Sequence, residues 1–492
     1  VSARRHAALA SALVATVATV AAGCAAVGPD YTVPERALVR DPGAAGAFTA
    51  LSPAVTAAPP PERWWQLYRD PVLDGLVERA LAANADLRTA AARLAQAHAT
   101  YESAAAAGEP RLDASARAAR ARFSGEQYLQ PEALPPMNVG DAGIEASYQL
   151  DLFGRLARAA EAAGADEGAS AAALDVARVT VAGDVVGAYV EACGAGHEFE
   201  KASATVAVQE RALDATTRLA AAGRGTTVDV TRSRALLEQS RSELPGLLAR
   251  RRVALYRLAT LGGRPPAEFP AGLDDCRALP TLAAPLPVGD GARLLARRPD
   301  VREAERRLAA ATARIGVATA NLYPTVTLGL GAGSTGLLAD LGSAPANRWS
   351  LGPLISWSIP GGGERARVRA AGAAADAALA HFDAVVLTAL RDVETALTVY
   401  ARDLDQNASL AAAQDAAREA DRQARELYHA GRVPFLNALE AERTLGGVER
   451  ARAASDTRIA ADQVRLFLAL GGGWQGAPAV AAVPRAAGAG GS

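Results

Sequence analysis

Lysine is nearly missing from this sequence: Lys201 is the only one in 492 residues. The 52 basic residues are therefore almost all arginine, and 53 acidic residues balance them to a net charge of −1. No basic block exists to grip a phosphate backbone, so nucleic acid is not an expected partner. Aromatic residues make up only 5%, too few for a conventional large globular core. Alanine is abundant instead, which favours long helices packed closely through small side chains. Cysteine is scarce: Cys24, Cys193 and Cys276 show no C-x-x-C spacing, which excludes a zinc ribbon or a thioredoxin-like site. Whether Cys193 and Cys276 pair is left open by spacing alone. The five histidines, His6, His98, His197, His381 and His429, are scattered and read as solvated helix residues without metal-ligand neighbours. No catalytic constellation, metal set or cofactor motif emerges.

The first residues carry an address. Arg4 and Arg5 precede a 16-residue apolar run, Ala7 to Ala22, that ends in Gly23-Cys24. A basic start, a short apolar stretch and small residues at its end predict a secretory signal over 1–23. The run is short for a membrane span, which needs about 20 residues. Ala21-Ala22-Gly23-Cys24 resembles a bacterial lipobox, whose cysteine is acylated, with chains such as palmitate, and becomes the mature N-terminus. Ala25 stands where an aspartate would imply inner-membrane retention, so delivery to the outer membrane is implied. The competing reading is an ordinary signal peptide with an incidental cysteine.

The remaining chain is written twice. Asp86/Asp300, Arg88/Arg302, Arg93/Arg307, Leu94/Leu308 and Pro110/Pro324 share an offset of 214. Thr180/Thr388, Asp184/Asp392, Gly223/Gly431 and Arg257/Arg465 share one of 208. The implied plan is an N-terminal segment over 24–76, one copy over 77–263, a proline-rich linker over 264–291, a second copy over 292–471 and a tail over 472–492. Each copy predicts a helix (near 77–107 and 292–321), then two strands (near 111–123 and 142–152; 325–333 and 349–359). A long helix follows (near 155–221 and 364–429), then a glycine-containing break and a last helix (near 228–261 and 435–470). Leu237, Leu244, Leu248, Leu255 and Leu258 step like a coiled-coil seam.

"TVTLGLGAGSTG", Thr325 to Gly336, contains Gly331-x-Gly333-x-x-Gly336 and could be taken for a dinucleotide turn. The crossover helix that such a turn needs is missing, because Gly342 and Pro345 interrupt the following residues. The repeat makes it the first strand of a hairpin, its glycines allowing bends and a turn. In "GIEASYQLDL", Ile144, Ala146, Tyr148, Leu150 and Leu152 alternate with Glu145, Ser147, Gln149 and Asp151. "RWSLGPLISWSI" alternates likewise, Trp349, Leu351, Ile355, Trp357 and Ile359 against Arg348, Ser350, Ser356 and Ser358. Such alternation fits a membrane barrel or a half-buried soluble sheet. Four strands cannot close a barrel alone, so a membrane reading requires several chains to share one.

"CAAVGPDYTVP", "WWQLYRDPVLDGLVERALAANADLRTAAARLAQA", the doubled helix–hairpin–helix plan and "RRPDVREAERRLAAATARIGVATANLYP" together resemble the outer membrane factor family, the outer-membrane efflux proteins of tripartite pumps, in its lipoprotein branch. The resemblance spans nearly the whole mature chain. It implies a mainly α fold with a membrane β-barrel: a homotrimer whose four strands per chain form one 12-stranded barrel in outer membrane lipid. Long periplasmic helices would form an α-barrel beside a small equatorial domain, and Cys24 would anchor the chain. It implies a periplasmic adaptor and an inner-membrane pump, often of the resistance–nodulation–division type, as partners, and multidrug efflux as the trait. At the second strand-to-helix turn Pro360 and three glycines depart from the family's usual phenylalanine or aspartate.

The resemblance also implies site residues. Gly223, Arg224 and Thr226, with Gly431, Arg432 and Pro434, would form the adaptor-docking tips. Asp229 and Arg232, with Asn437 and Glu440, would line the closed channel aperture. A ring of carboxylates there would favour cations, tied by Arg232 or Arg432. Asp229 has a second reading, since Thr226-x-x-Asp229 fits a capping box. The alternatives to an efflux conduit are the duct of a type I protein secretion system and a surface-anchored coiled-coil lipoprotein without a pore.

Overall fold

The structure is a computed structural model that describes residues 26–126, 129–282 and 285–475. Residues 1–25, with the expected signal peptide and Cys24, lie outside the described residues, as does the tail beyond 475. Two compact units are present, one of residues 95–169 and 304–382 with the segment before Glu35, the other of 35–94, 170–303 and the residues from Asp383 on.

The first unit holds a four-stranded antiparallel sheet in the order β1 (Arg111–Ala121), β2 (Met137–Leu150), β3 (Thr325–Leu337), β4 (Asn347–Ser356). Its register puts Ile144 opposite Ala332 and Ala332 opposite Trp349. The rows Ala146–Leu330–Leu351 and Leu150–Val326–Ile355 lie on the same face. This face is apolar yet bare, with Trp349 81% and Leu351 72% exposed. The opposite face aligns Asp113 with Glu145, and Arg117 with Asp141 and Thr335. There Arg348 donates to Asp141 at 3.1 Å, and the Thr335 hydroxyl also donates to Asp141. A sheet that is oily on one side and ion-paired on the other is built to separate lipid from a lumen. β1 and β4 are its unpaired edges.

The expected strands are present with shifted ends. Met137 starts β2 five residues before 142, and β3 runs to Leu337. Asp151 and Leu152 fall past the end of β2, and the Asp151 carboxylate caps the next helix by accepting from Leu156 N (3.0 Å) and Ala157 N (2.8 Å). Trp357 and Ile359 lie beyond β4, and the Trp357 indole donates to Leu322 O at 3.1 Å. The glycines of "GAGSTG" stay inside the strand and make no turn. Gly333 is needed for close approach, since a Cβ there would stand 2.6 Å from Ala142 O and 2.9 Å from Gly143 Cα. The turn uses Gly342, at φ +86°.

Nine helices of at least seven residues are described: α1 (Pro71–Ala83), α2 (Ala85–Ala106), α3 (Arg155–Ala221), α4 (Thr227–Arg241), α5 (Leu244–Leu261), α6 (Gly291–Arg297), α7 (Pro299–Ala320), α8 (Gly362–His429) and α9 (Phe435–Ala469). The two longest have 67 and 68 residues, roughly 100 Å of helix each. Three expected single helices are broken instead. Asn84 interrupts the first, its side chain accepting from Asp86 N and Leu87 N at 2.8 and 3.2 Å. Pro299 starts α7 anew, because the residue before a proline leaves the helical region. Pro245 sits in the first turn of α5, just after the break that ends α4. The leucine seam is correspondingly discontinuous: Leu237, Leu255 and Leu258 are buried, while Leu248 is 47% exposed. Past Pro360, α8 starts cleanly, with the Glu364 carboxylate accepting from Gly361 N at 3.1 Å.

The second unit is organised around Trp64, which is fully buried and stacked on Phe467 at 4.7 Å. Leu73, Val77, Leu255, Leu397 and Leu466 belong to the same buried core. A short parallel pair joins Val55–Thr56 to Leu286–Pro287. Arg297 donates to the carbonyls of Pro60 (2.6 Å) and Pro61 (3.0 Å). A disulfide joins Cys193 of α3 to Cys276 of the inter-repeat segment.

Candidate functional site

Both breaks after the long helices are glycine-terminated in the same way. At the end of α3, Arg224 N donates to Leu219 O (2.9 Å) and Gly223 N to Ala220 O (3.0 Å), with Gly223 at φ +72°. At the end of α8, Arg432 N donates to Leu427 O and Gly431 N to Tyr428 O, both at 2.9 Å, with Gly431 at φ +68°. This is the Schellman arrangement, in which a left-handed residue satisfies the last helix carbonyls. No atom lies within 4 Å of a Cβ built on either glycine, so backbone conformation alone demands glycine there. Tyr428 packs edge-on against Phe435 across the second break, ring centroids 5.4 Å apart.

The helices that leave the breaks start differently. α4 has a complete capping box: the Thr226 hydroxyl accepts from Asp229 N at 3.2 Å, and Asp229 Oδ2 accepts from Thr226 N at 3.1 Å. Asp229 is thus held as a cap, and among the described residues it makes no ion pair with Arg232. α9 starts after Pro434, which occupies the N-cap position with no side-chain cap. Arg232 and Glu440 come together. With Gln239, Arg443 and the leucines 236, 436 and 439 they line a groove of about 420 Å³ between α4 and α9. Asn437 is exposed and does not line it. Arg443, three residues past Glu440 and so on the same helix face, was not singled out from the sequence.

Two buried acids sit on α9. Burial pushes the Glu442 carboxyl up, with Arg425 3.5 Å away opposing the shift. Asp462 is 2% exposed, and burial raises its carboxyl, helped by the facing Asp403 carboxyl. Asp462 Oδ1 accepts from Arg465 at 2.9 Å, while Oδ2 accepts no hydrogen bond among the described residues. His98 is exposed on α2, with Glu102 (3.3 Å) and Glu167 (2.8 Å) beside it. Those contacts raise its pKa, the hydrogen bond to Glu167 most. Among the described residues no metal-binding group is present.

The family model described as outer membrane efflux protein matches residues 76–264 and 292–472. The chain is 30% identical to Nodulation protein T of Rhizobium leguminosarum bv. viciae, with 94% of this chain and 93% of that protein covered. It is 31% identical to the pyoverdine export outer membrane protein OpmQ of Pseudomonas putida, covering 85% and 89%. Among solved structures, the outer-membrane channel OprN aligns with a TM-score of 0.85 at 36% identity, covering 91% of this chain and 99% of that one. A two-faced sheet with open edges, paired 100 Å helices and a match over both repeats lead to one conclusion: the chain belongs to the outer membrane efflux protein family and is the outer-membrane channel of an efflux system.

Proposed function

We propose that the chain acts as a passive exit duct, lipid-anchored at Cys24, through which an inner-membrane pump and a periplasmic adaptor expel substrate. The observation that carries the duct is the four-stranded sheet. Its exposed apolar face needs lipid, its ion-paired face needs water, and its two open edges need strands from other copies. Three copies supply twelve strands, and the chain performs no chemical step. Gly223, Arg224, Thr226, Gly431, Arg432 and Pro434 form the adaptor-docking tips, and Asp229, Arg232, Asn437 and Glu440 the aperture region. The six-part division of the chain, from signal peptide to tail, goes with this reading.

The anchor has its own support. Val27 N donates to Phe153 O at 3.1 Å, just past the end of β2. Arg158, itself buried, donates to Val27 O and Gly28 O (3.3 Å each) and pairs with Asp30 at 2.6 Å. Gly28 approaches so closely that a Cβ would stand 2.4 Å from Gly316 Cα. Cys24 precedes Val27 by three residues in the sequence, and Val27 is held at the corner where β2 ends.

Reconstitution tests the whole reading. Protein purified from outer membranes in mild detergent should give a trimer by native mass spectrometry, each chain starting at Cys24 plus acyl groups, and discrete conductance in a planar bilayer. A monomer without conductance overturns the duct, and an unacylated N-terminus overturns the anchor alone.

A further inference from the structure

The apolar face of the sheet is zoned along its strands. From the row Leu150–Val326–Ile355 to the row Ile144–Ala332–Trp349 it carries only aliphatic, aromatic and proline side chains. The next row brings Ser334 and Asn347, and the last places Arg120 opposite Asn138. Arg120 is the only charged residue that the four strands set on this face, and no acid accompanies it. Its exposed guanidinium donates to the neutral Asn138 Oδ1 at 3.4 Å. Arg122, just past the strand, is exposed and makes no ion pair or side-chain hydrogen bond among the described residues. On the lumen face, by contrast, Arg348 has the Asp141 carboxylate.

The level of Arg120 follows from connectivity. α2 and α7 lead into the starts of β1 and β3, and α3 and α8 follow the ends of β2 and β4, so all four helices join the sheet at one end. Arg120 stands at the other end, which is the outer rim when the helices are periplasmic. Its partner Asn138 lies twelve residues along β2 from Leu150, about 40 Å of strand, or about 30 Å of height at the tilt of a membrane barrel. The apolar band of such a barrel is about 25 Å tall, so these side chains emerge among the outer headgroups.

We infer that Arg120 and Arg122 form a lipid site on the outer rim, which takes the phosphate groups of a glycolipid in the outer leaflet. The inference goes beyond the duct reading and shares with it only the orientation of the barrel. Guanidinium groups bind phosphate oxygens through two parallel hydrogen bonds. Asn138 accepts from Arg120 through its carbonyl oxygen, which leaves its amide N–H groups to donate to the same anion. Below them Ile144, Leu330, Trp349 and Leu351 are exposed and apolar. A phosphorylated lipid satisfies both parts, its head on the arginines and its acyl chains on the rows beneath, whereas free phosphate satisfies only the first.

The test uses full-length trimer in detergent, stripped of lipid, with three probes: diphosphoryl lipid A, the same lipid without its phosphates, and inorganic phosphate. Native mass spectrometry counts bound lipid. Each basic residue near an anionic surface is worth about fivefold in affinity, so R120Q/R122Q should bind diphosphoryl lipid A roughly tenfold or more weakly than the parent. The parent should prefer the phosphorylated lipid by a similar factor, and inorganic phosphate should not displace it. Arg117→Gln, on the lumen face of the same strand, should bind as the parent does. Equal binding of both lipids by the parent, or unchanged binding in R120Q/R122Q, overturns the inference. Full displacement by inorganic phosphate overturns the lipid and leaves a plain anion site. Recovery of R120Q/R122Q as a monomer also overturns it, by assigning the arginines to pairing between copies. Conductance of the parent trimer is read separately, so a failure of the lipid site leaves the duct standing.

Discussion

Cys193 in the middle of α3 and Cys276 in the inter-repeat segment are covalently joined across a sequence separation of 83 residues. The contact is built for closeness: a Cβ on Gly196 would stand 2.0 Å from Cys276 O, so only glycine lets the segment lie on the helix. Closing a loop of this length removes unfolded-state freedom equivalent to about 4–5 kcal/mol on the chain-entropy model. The paired variant C193S/C276S should therefore melt lower than the parent, and reducing the parent should lower its melting point towards that of the variant. Thiol titration of denatured, unreduced protein should find neither cysteine free. A full titre of free thiols would refute the bond.

The sheet makes a sharper demand at Gly333. Gly333→Val forces a side chain into Ala142 O and Gly143 Cα, whereas a Cβ on Gly352 meets nothing within 4 Å. Gly333→Val should lower the trimer recovered from outer membranes several-fold, and Gly352→Val should leave it near the parent level. The comparison is read by heat-modifiable gel mobility. Equal yields would mean that the strands separate easily enough to admit a β-branched residue.

Much of this was legible in the sequence, and the residues show why. Alternation in "GIEASYQLDL" identified a two-faced strand because period two survives whatever the sheet packs against. The 208 offset aligned Arg257 with Arg465 and Asp184 with Asp392. Only the Arg–Asp pair of the first repeat forms, Arg257 binding Asp184 at 2.7 Å, whereas in the second Arg391 takes Asp392 and Arg465 turns to Asp462. Helix breaks at Asn84 and before Pro299 were hidden by strong helix formers on either side. The disulfide and the place of Arg443 beside Arg232 and Glu440 were illegible for a different reason: both join residues far apart in the chain, and no local pattern records which distant helices touch.

The same offset exposes a buried acid that the first repeat lacks. Asp462 and Asp403 occupy the positions of Ala254 and Ala195, both buried alanines. Burial first, then the facing Asp403 carboxyl, pushes the Asp462 carboxyl up to about 6 from 3.8, while Arg465 pulls it down. Arg458 stands 3.7 Å from Asp403. A native carboxyl above its unfolded value means the folded chain holds the extra proton between the two pKa values. Stability should therefore fall as pH rises from about 4 to about 6 and level off above that. Asp462→Asn, which keeps the shape without the charge, should flatten this slope and melt higher than the parent at pH 7. Melting curves at pH 4.5, 6 and 7.5 check it, and an unchanged slope in the variant would clear Asp462 of the effect.

The last prediction separates two roles that fall on neighbouring residues at the start of α4. Asp229 completes the capping box with Thr226, so its carboxylate is committed to the backbone, whereas Arg232, one turn on, lines the groove with Glu440. Removing the cap and removing the groove pair should therefore have different signatures. Thr226→Ala takes away one hydrogen bond at a helix start, worth about 1 kcal/mol, and should fray the first turn of α4 without changing the groove's charge. Its conductance should rise modestly, with ion selectivity kept. Arg232→Gln with Glu440→Gln leaves the cap intact and removes one charge of each sign from every chain. If these side chains hold the tunnel closed, that double variant should open it further than Thr226→Ala does, at unchanged melting temperature. Glu440→Gln alone leaves Arg232 and Arg443 unopposed in the groove, and should shift selectivity away from cations. Adding Asp229→Asn to the double variant should lower stability with little further gain in conductance, because that carboxylate serves the helix. Single-channel recording across a salt gradient reads all four variants. A double variant that conducts like the parent would place the aperture elsewhere.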